Sequence, residues 1–89
     1  EILSQSRIAH GHTEVAYRED PCRRGDAGWG EKQRILLADM ALHLVQTSLN
    51  PGELSTGDLK RNLFAILMIS DELVPGHGLA SVADSLYGA

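Results

Sequence analysis

The stretch from residue 35 to residue 73 reads ILLADMALHLVQTSLNPGELSTGDLKRNLFAILMISDEL, and it decides the fold. Leucine and other apolar residues recur at three- and four-residue spacing on both sides of Asn50-Pro51-Gly52. Proline cannot continue a helical hydrogen-bond ladder, and glycine accepts left-handed backbone angles. The stretch therefore predicts two antiparallel helices joined by a tight turn.

The first predicted helix, residues 31–49, is apolar around roughly two-thirds of its circumference when residues are placed at about 100° intervals. Its apolar arc contains Leu36, Met40, Leu44, Leu37, Ala41, Val45, Ala38, Leu49, Leu42 and Ile35. Its remaining polar strip contains Lys32, Asp39, His43, Gln46 and Thr47. An ordinary surface helix has a narrower apolar face, so we expect this helix to pack against at least two partners.

The second predicted helix begins after Ser55, which can cap its first turn, and Asp58 is favoured there by the helix dipole. Its main apolar face contains Leu59, Leu63, Ile66, Leu67, Ile69 and Leu73. Val74-Pro75-Gly76 should end it, and the spacing of apolar residues between Leu79 and Tyr87 predicts a short last helix.

The N-terminal part predicts a β-hairpin over residues 1–17. A turn at Gly11-His12 would pair Ile8 with Val15 on one face. The competing prediction is a short helix over residues 1–9. Residues 18–30 are rich in turn-forming residues and predict a loop that carries Trp29. The expected fold is therefore α+β, one domain of residues 1–89 in which the hairpin packs on the helical part, residues 31–89.

Length and charge exclude several classes of protein. A chain of 89 residues is one small domain of marginal stability, which favours oligomers. Residues 35–89 contain two basic and six acidic side chains, so they repel phosphate, and we expect no nucleic-acid partner. The apolar runs are too short to cross a bilayer, and the opening Glu1-Ile2-Leu3-Ser4 lacks the basic-then-apolar pattern of a secretory signal, so we expect no membrane association. The single cysteine favours a reducing, cytoplasmic setting.

Two apolar residues of the second helix, Phe64 and Met68, form the best candidate contact surface for a protein partner. Charged residues of both signs lie around them, as at the rim of an interface: Lys60, Arg61, Asp71 and Glu72. Trp29 is a further candidate anchor. With the wide apolar arc, this strip favours a homodimer with two-fold symmetry. The alternative is that the hairpin or the last helix covers the strip within one chain.

Candidate chemical groups are few. Asp39 and His43 lie one helical turn apart and could form half of a general-base pair, although such pairs are common on surfaces. His10 and His12 could bind a metal ion if no turn separated them. Cys22 lies beside Arg23 and Arg24, which should favour its thiolate form, and the alternative is an exposed loop thiol with no role.

These patterns predict a non-enzymatic accessory or regulatory module that self-associates and binds a protein partner, without a cofactor. The alternative is a small enzyme or a ligand- or metal-binding protein whose His/Asp pocket lies between hairpin and helices. Metal content and the titration of the histidines would separate these two classes.

Overall fold

The computed structural model describes residues 1–88, and these residues form four α-helices. The helices are α1 (Ile2–Glu19), α2 (Trp29–Leu49), α3 (Thr56–Leu73) and α4 (Leu79–Gly88). No strand occurs between residues 1 and 88. The predicted α+β class and its N-terminal hairpin are therefore wrong, and the alternative helix over residues 1–9 was only half the observed length.

The first helix runs through Gly11, where the hairpin turn was predicted. Its N-terminus is capped by Glu1, whose side chain accepts a hydrogen bond from the Ser4 backbone N–H at 3.0 Å. A glycine inside a helix costs about 1 kcal/mol relative to alanine. Packing of α1 along α2 outweighs this cost, because one side of α1 lies against α2 over most of its length.

The other three helices lie close to their predicted positions. Helix α2 begins at Trp29 instead of residue 31, so the loop ends at Gly28. Helix α3 is capped as predicted: the Ser55 hydroxyl accepts a hydrogen bond from the Asp58 backbone N–H at 3.2 Å. The turn after α3 contains Gly76 with φ 90°, a left-handed angle that glycine adopts without strain.

The four helices form a single layer. Within residues 1–88, each helix packs only against the helices next to it in sequence: α1 on α2, α2 on α3 and α3 on α4. The molecule measures 41 × 35 × 15 Å. A helix with its side chains is about 10–12 Å wide, so the short dimension is one helix thick. The radius of gyration is 14.1 Å, against about 12 Å for a compact domain of this length.

The buried side chains of this layer are mostly polar, whereas those of a typical globular domain are mostly apolar. Among the described residues, the only buried apolar side chains are Ile69 and Ala83. Twice as many buried residues are polar or charged: Ser6, Gln33, Asp39 and Asn62. The predicted apolar face of α3 is half-buried apart from Ile69. The fully buried side chains are therefore mostly polar, and most of the apolar side chains remain partly open to solvent.

Much of the polar strip of α2 faces α1. Asp39 and His43 contact His10, and the Lys32 ammonium lies 4.8 Å from the centre of the Tyr17 ring. The polar contacts of α2, made by Asp39 and His43 to α1 and by Gln33 and Thr47 to α3, span about 120° of its circumference. We call the opposite side the outer arc of α2, and it consists of Ile35, Ala38, Ala41, Leu42, Val45 and Leu49. Ala38, Ala41 and Leu49 are exposed there, and the other three are half-buried.

No helix within residues 1–88 combines the length and the apolar character needed to span a lipid bilayer.

Candidate functional site

Three potential metal ligands meet in the seam between α1 and α2. His10 comes from the middle of α1, and Asp39 and His43 lie one turn apart on α2. One ligand atom from each of the three side chains lies within 4.8 Å of the other two. We call these three residues the seam cluster.

Asp39 is the centre of the seam cluster. Its Oδ1 lies 3.3 Å from His10 Nε2, and its Oδ2 lies 3.5 Å from His43 Nε2. The two imidazole rings meet edge to face, with their centres 4.2 Å apart. Each carboxylate oxygen therefore approaches a different histidine, and the two histidines also contact each other.

Burial within the seam cluster is graded. The Asp39 side chain is 8% exposed, the His10 side chain 19% and the His43 side chain 41%. A buried carboxylate needs polar partners, and Thr13 supplies one because its hydroxyl lies 2.7 Å from Asp39 Oδ1. The site is closed on the Asp39 side and reaches solvent at His43.

One ring nitrogen of the seam cluster, Nε2 of His10, is buried beside Asp39 without a hydrogen bond to any of residues 1–88. Its distance to Asp39 Oδ1 is 3.3 Å. His10 therefore has an unused nitrogen beside a buried carboxylate.

The sequence prediction placed the components of this site only in part. Asp39 and His43 were paired, and the structure shows them adjacent but with Asp39 buried rather than on a solvated surface. His10 was paired with His12, which lies outside the seam cluster and is exposed. His10 was not placed beside Asp39 because residues 1–17 were predicted to form a hairpin instead of a helix. In the helix, residues 6, 10, 13 and 17 share one face of α1, and this face is turned toward α2.

Phe64 and Met68, the two apolar residues of the predicted partner-binding strip, lie in different surroundings. The Phe64 ring packs against the Tyr87 ring of α4, with their centres 5.6 Å apart, and Lys60 lies 5.5 Å from the centre of the same Tyr87 ring. The last helix thus covers Phe64 in part. Met68 remains exposed. Arg61 forms an ion pair with Asp58 one turn earlier on α3.

Trp29 and Glu72 meet between α2 and α3. The Trp29 indole N–H donates a hydrogen bond to Glu72 Oε1 at 3.2 Å, and the Arg24 guanidinium donates to the same oxygen at 2.8 Å. Gln33 donates to the other carboxylate oxygen at 3.3 Å. A shallow groove beside them is also lined by Met68 and Asp71. Glu72 therefore holds the loop before α2 against the C-terminal end of α3.

Cys22 does not have the reactive environment that its two neighbouring arginines suggested. The Asp20 carboxylate accepts a hydrogen bond from the thiol and so raises its pKa above the usual value. Partial burial and the negative charge of Asp26 raise this pKa further, and Lys32 opposes them weakly. Asp20 therefore opposes the thiolate form that the two arginines were expected to favour.

A search against families of known proteins, curated proteins and solved structures finds no match to this chain.

Proposed function

We propose that this protein is a non-enzymatic module that self-associates by stacking the outer arc of α2 against the same arc of a second copy. The observation that carries the proposal is the single layer of helices. Stable domains consist of at least two layers packed around an apolar core. One layer with so few buried apolar side chains lacks that core, and a second copy would complete it.

The exposed area supports this proposal. The chain exposes 5939 Å², whereas a folded monomer of 9.7 kDa exposes about 5,100 Å². The excess of about 800 Å² equals the area that each partner buries in a typical stable interface, about 800 Å². A dimer that buried this excess would bring each chain to the area of an ordinary compact domain.

The chemistry of the outer arc also suits a second copy. From Ala38 to Leu49 the arc has no charged residue, and charged side chains are depleted at the centres of interfaces. In two copies that face each other, the outer arc of each would present apolar side chains to the apolar side chains of the other. A two-fold axis across the arc would also place α2 antiparallel to its copy, and such dimers are the most common symmetric oligomers.

The accessory or regulatory role and the protein partner are parts of the same proposal. In the dimer, the groove beside Trp29, Met68 and Glu72 would remain open on the other side of the layer for such a partner. A cytoplasmic setting also belongs to the proposal, because the single cysteine allows no disulfide within one chain.

The oligomeric state tests the proposal. We expect the wild-type protein to sediment as a dimer at micromolar concentration. The double variant A38E/A41E should sediment as a monomer and remain helical by circular dichroism, because both alanines are exposed and glutamate is a good helix former. The matched control is Q5E/S81E, which adds the same charge at exposed positions of α1 and α4.

A wild-type monomer would contradict the proposal. A dimer that survives in A38E/A41E but is lost on replacing Met68 with glutamine would contradict the outer arc as the interface and favour the predicted α3 surface.

A further inference from the structure

The seam cluster has the ligands of a transition-metal site. Two imidazole nitrogens and one carboxylate oxygen form a mixed nitrogen and oxygen set that zinc and its neighbours in the periodic table prefer. Calcium and magnesium instead need six or more oxygen ligands, and the seam cluster has a single carboxylate. The ligand types therefore favour a divalent ion such as zinc.

Each histidine of the seam cluster is separated from one of the two Asp39 oxygens by about the spacing of neighbouring ligands in a tetrahedral site. Zinc bonds of about 2.0–2.1 Å place neighbouring ligand atoms about 3.3–3.4 Å apart. His10 Nε2 and Asp39 Oδ1 are separated by 3.3 Å, and His43 Nε2 and Asp39 Oδ2 by 3.5 Å. The widest gap in the set, at most 4.8 Å, closes with a side-chain shift of about 1–1.5 Å. His43 is exposed enough to make that shift.

The lack of a hydrogen bond from the histidines to Asp39 also favours a metal site. In an ordinary histidine–aspartate pair the ring N–H points at the carboxylate oxygen. Neither ring nitrogen forms such a hydrogen bond with Asp39, despite separations of 3.3 and 3.5 Å. Ligands of one ion point at the ion rather than at each other. The unused His10 nitrogen beside a buried carboxylate fits this second arrangement.

The seam cluster also has a residue that supports one of its ligands and an opening to solvent through which an ion can enter. The Thr13 hydroxyl at 2.7 Å from Asp39 Oδ1 can fix the carboxylate, as groups behind metal ligands commonly do. His43 lies at the solvent side, so an ion can enter there and keep a fourth position for water. We propose that His10, Asp39 and His43 bind one zinc-class divalent ion per chain, which joins α1 to α2.

Metal titration of chelator-treated, tag-free protein tests this proposal. We expect one zinc ion per chain by calorimetry, and one cobalt(II) ion with visible absorption bands that zinc removes. Free zinc at about a hundred times Kd should raise Tm by about 10–20 °C. H43Q and H10Q should weaken zinc binding at least a hundredfold. T13V should weaken it about 10- to 100-fold, because Thr13 only positions a ligand.

The matched controls are H12Q and H77Q, which make the same substitution at exposed histidines outside the seam cluster. Both should bind zinc like the wild-type protein. A folded wild-type protein with no zinc-dependent rise in Tm and no cobalt bands would overturn the proposal. Loss of binding in H12Q or H77Q would also overturn it, because zinc would then bind elsewhere. These measurements are independent of self-association, which A38E/A41E tests.

Discussion

Asn62 of α3 donates a hydrogen bond to Thr47 Oγ1 of α2 at 2.6 Å. The same amide lies 3.5 Å from the His43 backbone carbonyl. Asn62 is buried, so this polar contact lies in the middle of a helix–helix seam where a compact domain would have an apolar contact. It also connects α3 to the residue of α2 that forms the open side of the seam cluster.

Asn62→Ala should lower the free energy of unfolding by about 1–2 kcal/mol, because the half-buried Thr47 hydroxyl loses its partner. Urea denaturation measures the loss. Thr47→Val in the Asn62→Ala background should add less than it does alone, as expected for two residues in contact. Ser81→Ala, at an exposed position, is the control. Full additivity would show that the two side chains do not stabilise the seam together.

Asp39→Ala should destabilise the metal-free protein by about 2–3 kcal/mol. The substitution removes a buried carboxylate that accepts a hydrogen bond from the Thr13 hydroxyl and contacts His10, and it leaves the space of that carboxylate unfilled. Thermal unfolding in the presence of a chelator measures this change. Asp84→Ala, on the exposed side of α4, should change stability little. An equal effect of the two substitutions would mean that the seam cluster does not hold α1 on α2.

Glu72→Ala should move the fluorescence emission of Trp29 to longer wavelength. Trp29 is the only tryptophan, and its N–H bonds to Glu72 together with the Arg24 guanidinium. Loss of the carboxylate releases the loop before α2 and lets water reach the indole. Glu53→Ala, at an exposed position between α2 and α3, should leave the emission unchanged. Unchanged emission in Glu72→Ala would show that the loop is held by other contacts.

Cys22 should react more slowly with a thiol-specific reagent in the folded protein than in urea at neutral pH. Its raised pKa leaves less of the reactive thiolate, mainly because the thiol donates a hydrogen bond to Asp20. The pH at which reactivity reaches half its maximum should therefore lie higher in the folded protein. Asp20→Asn should increase the rate and lower that pH, whereas Asp84→Asn should change neither. Faster reaction in the folded state would contradict this environment.

The sequence was sufficient to predict α2, α3 and α4, because each combines apolar periodicity with strong signals at its ends. Ser55 caps α3 as expected, and Asn50-Pro51-Gly52 separates α2 from α3. These signals depend only on local backbone chemistry. They therefore predict where these helices begin and end even though the overall arrangement of the helices differs from the one expected.

Helix α1 could not be predicted by the same means, because its packed face is not apolar. Ser6, His10, Thr13 and Tyr17 lie against the polar strip of α2, so the usual search for apolar periodicity does not detect their spacing. Gly11 added a false turn signal. The seam cluster was missed for the same reason: His10 approaches Asp39 only when α1 is helical.

The order of packing, in which each of the described helices contacts only its neighbours along the chain, has a consequence for folding. All seams join segments close in sequence, and such short-range topology favours rapid folding. The end helices are each held by one seam and the middle helices by two. Amide protons should therefore exchange fastest in α1 and α4, so the array opens from its ends inward, as in proteins built of stacked repeats. Zinc would act at one end only, slowing exchange in α1 while leaving α4 free to fray.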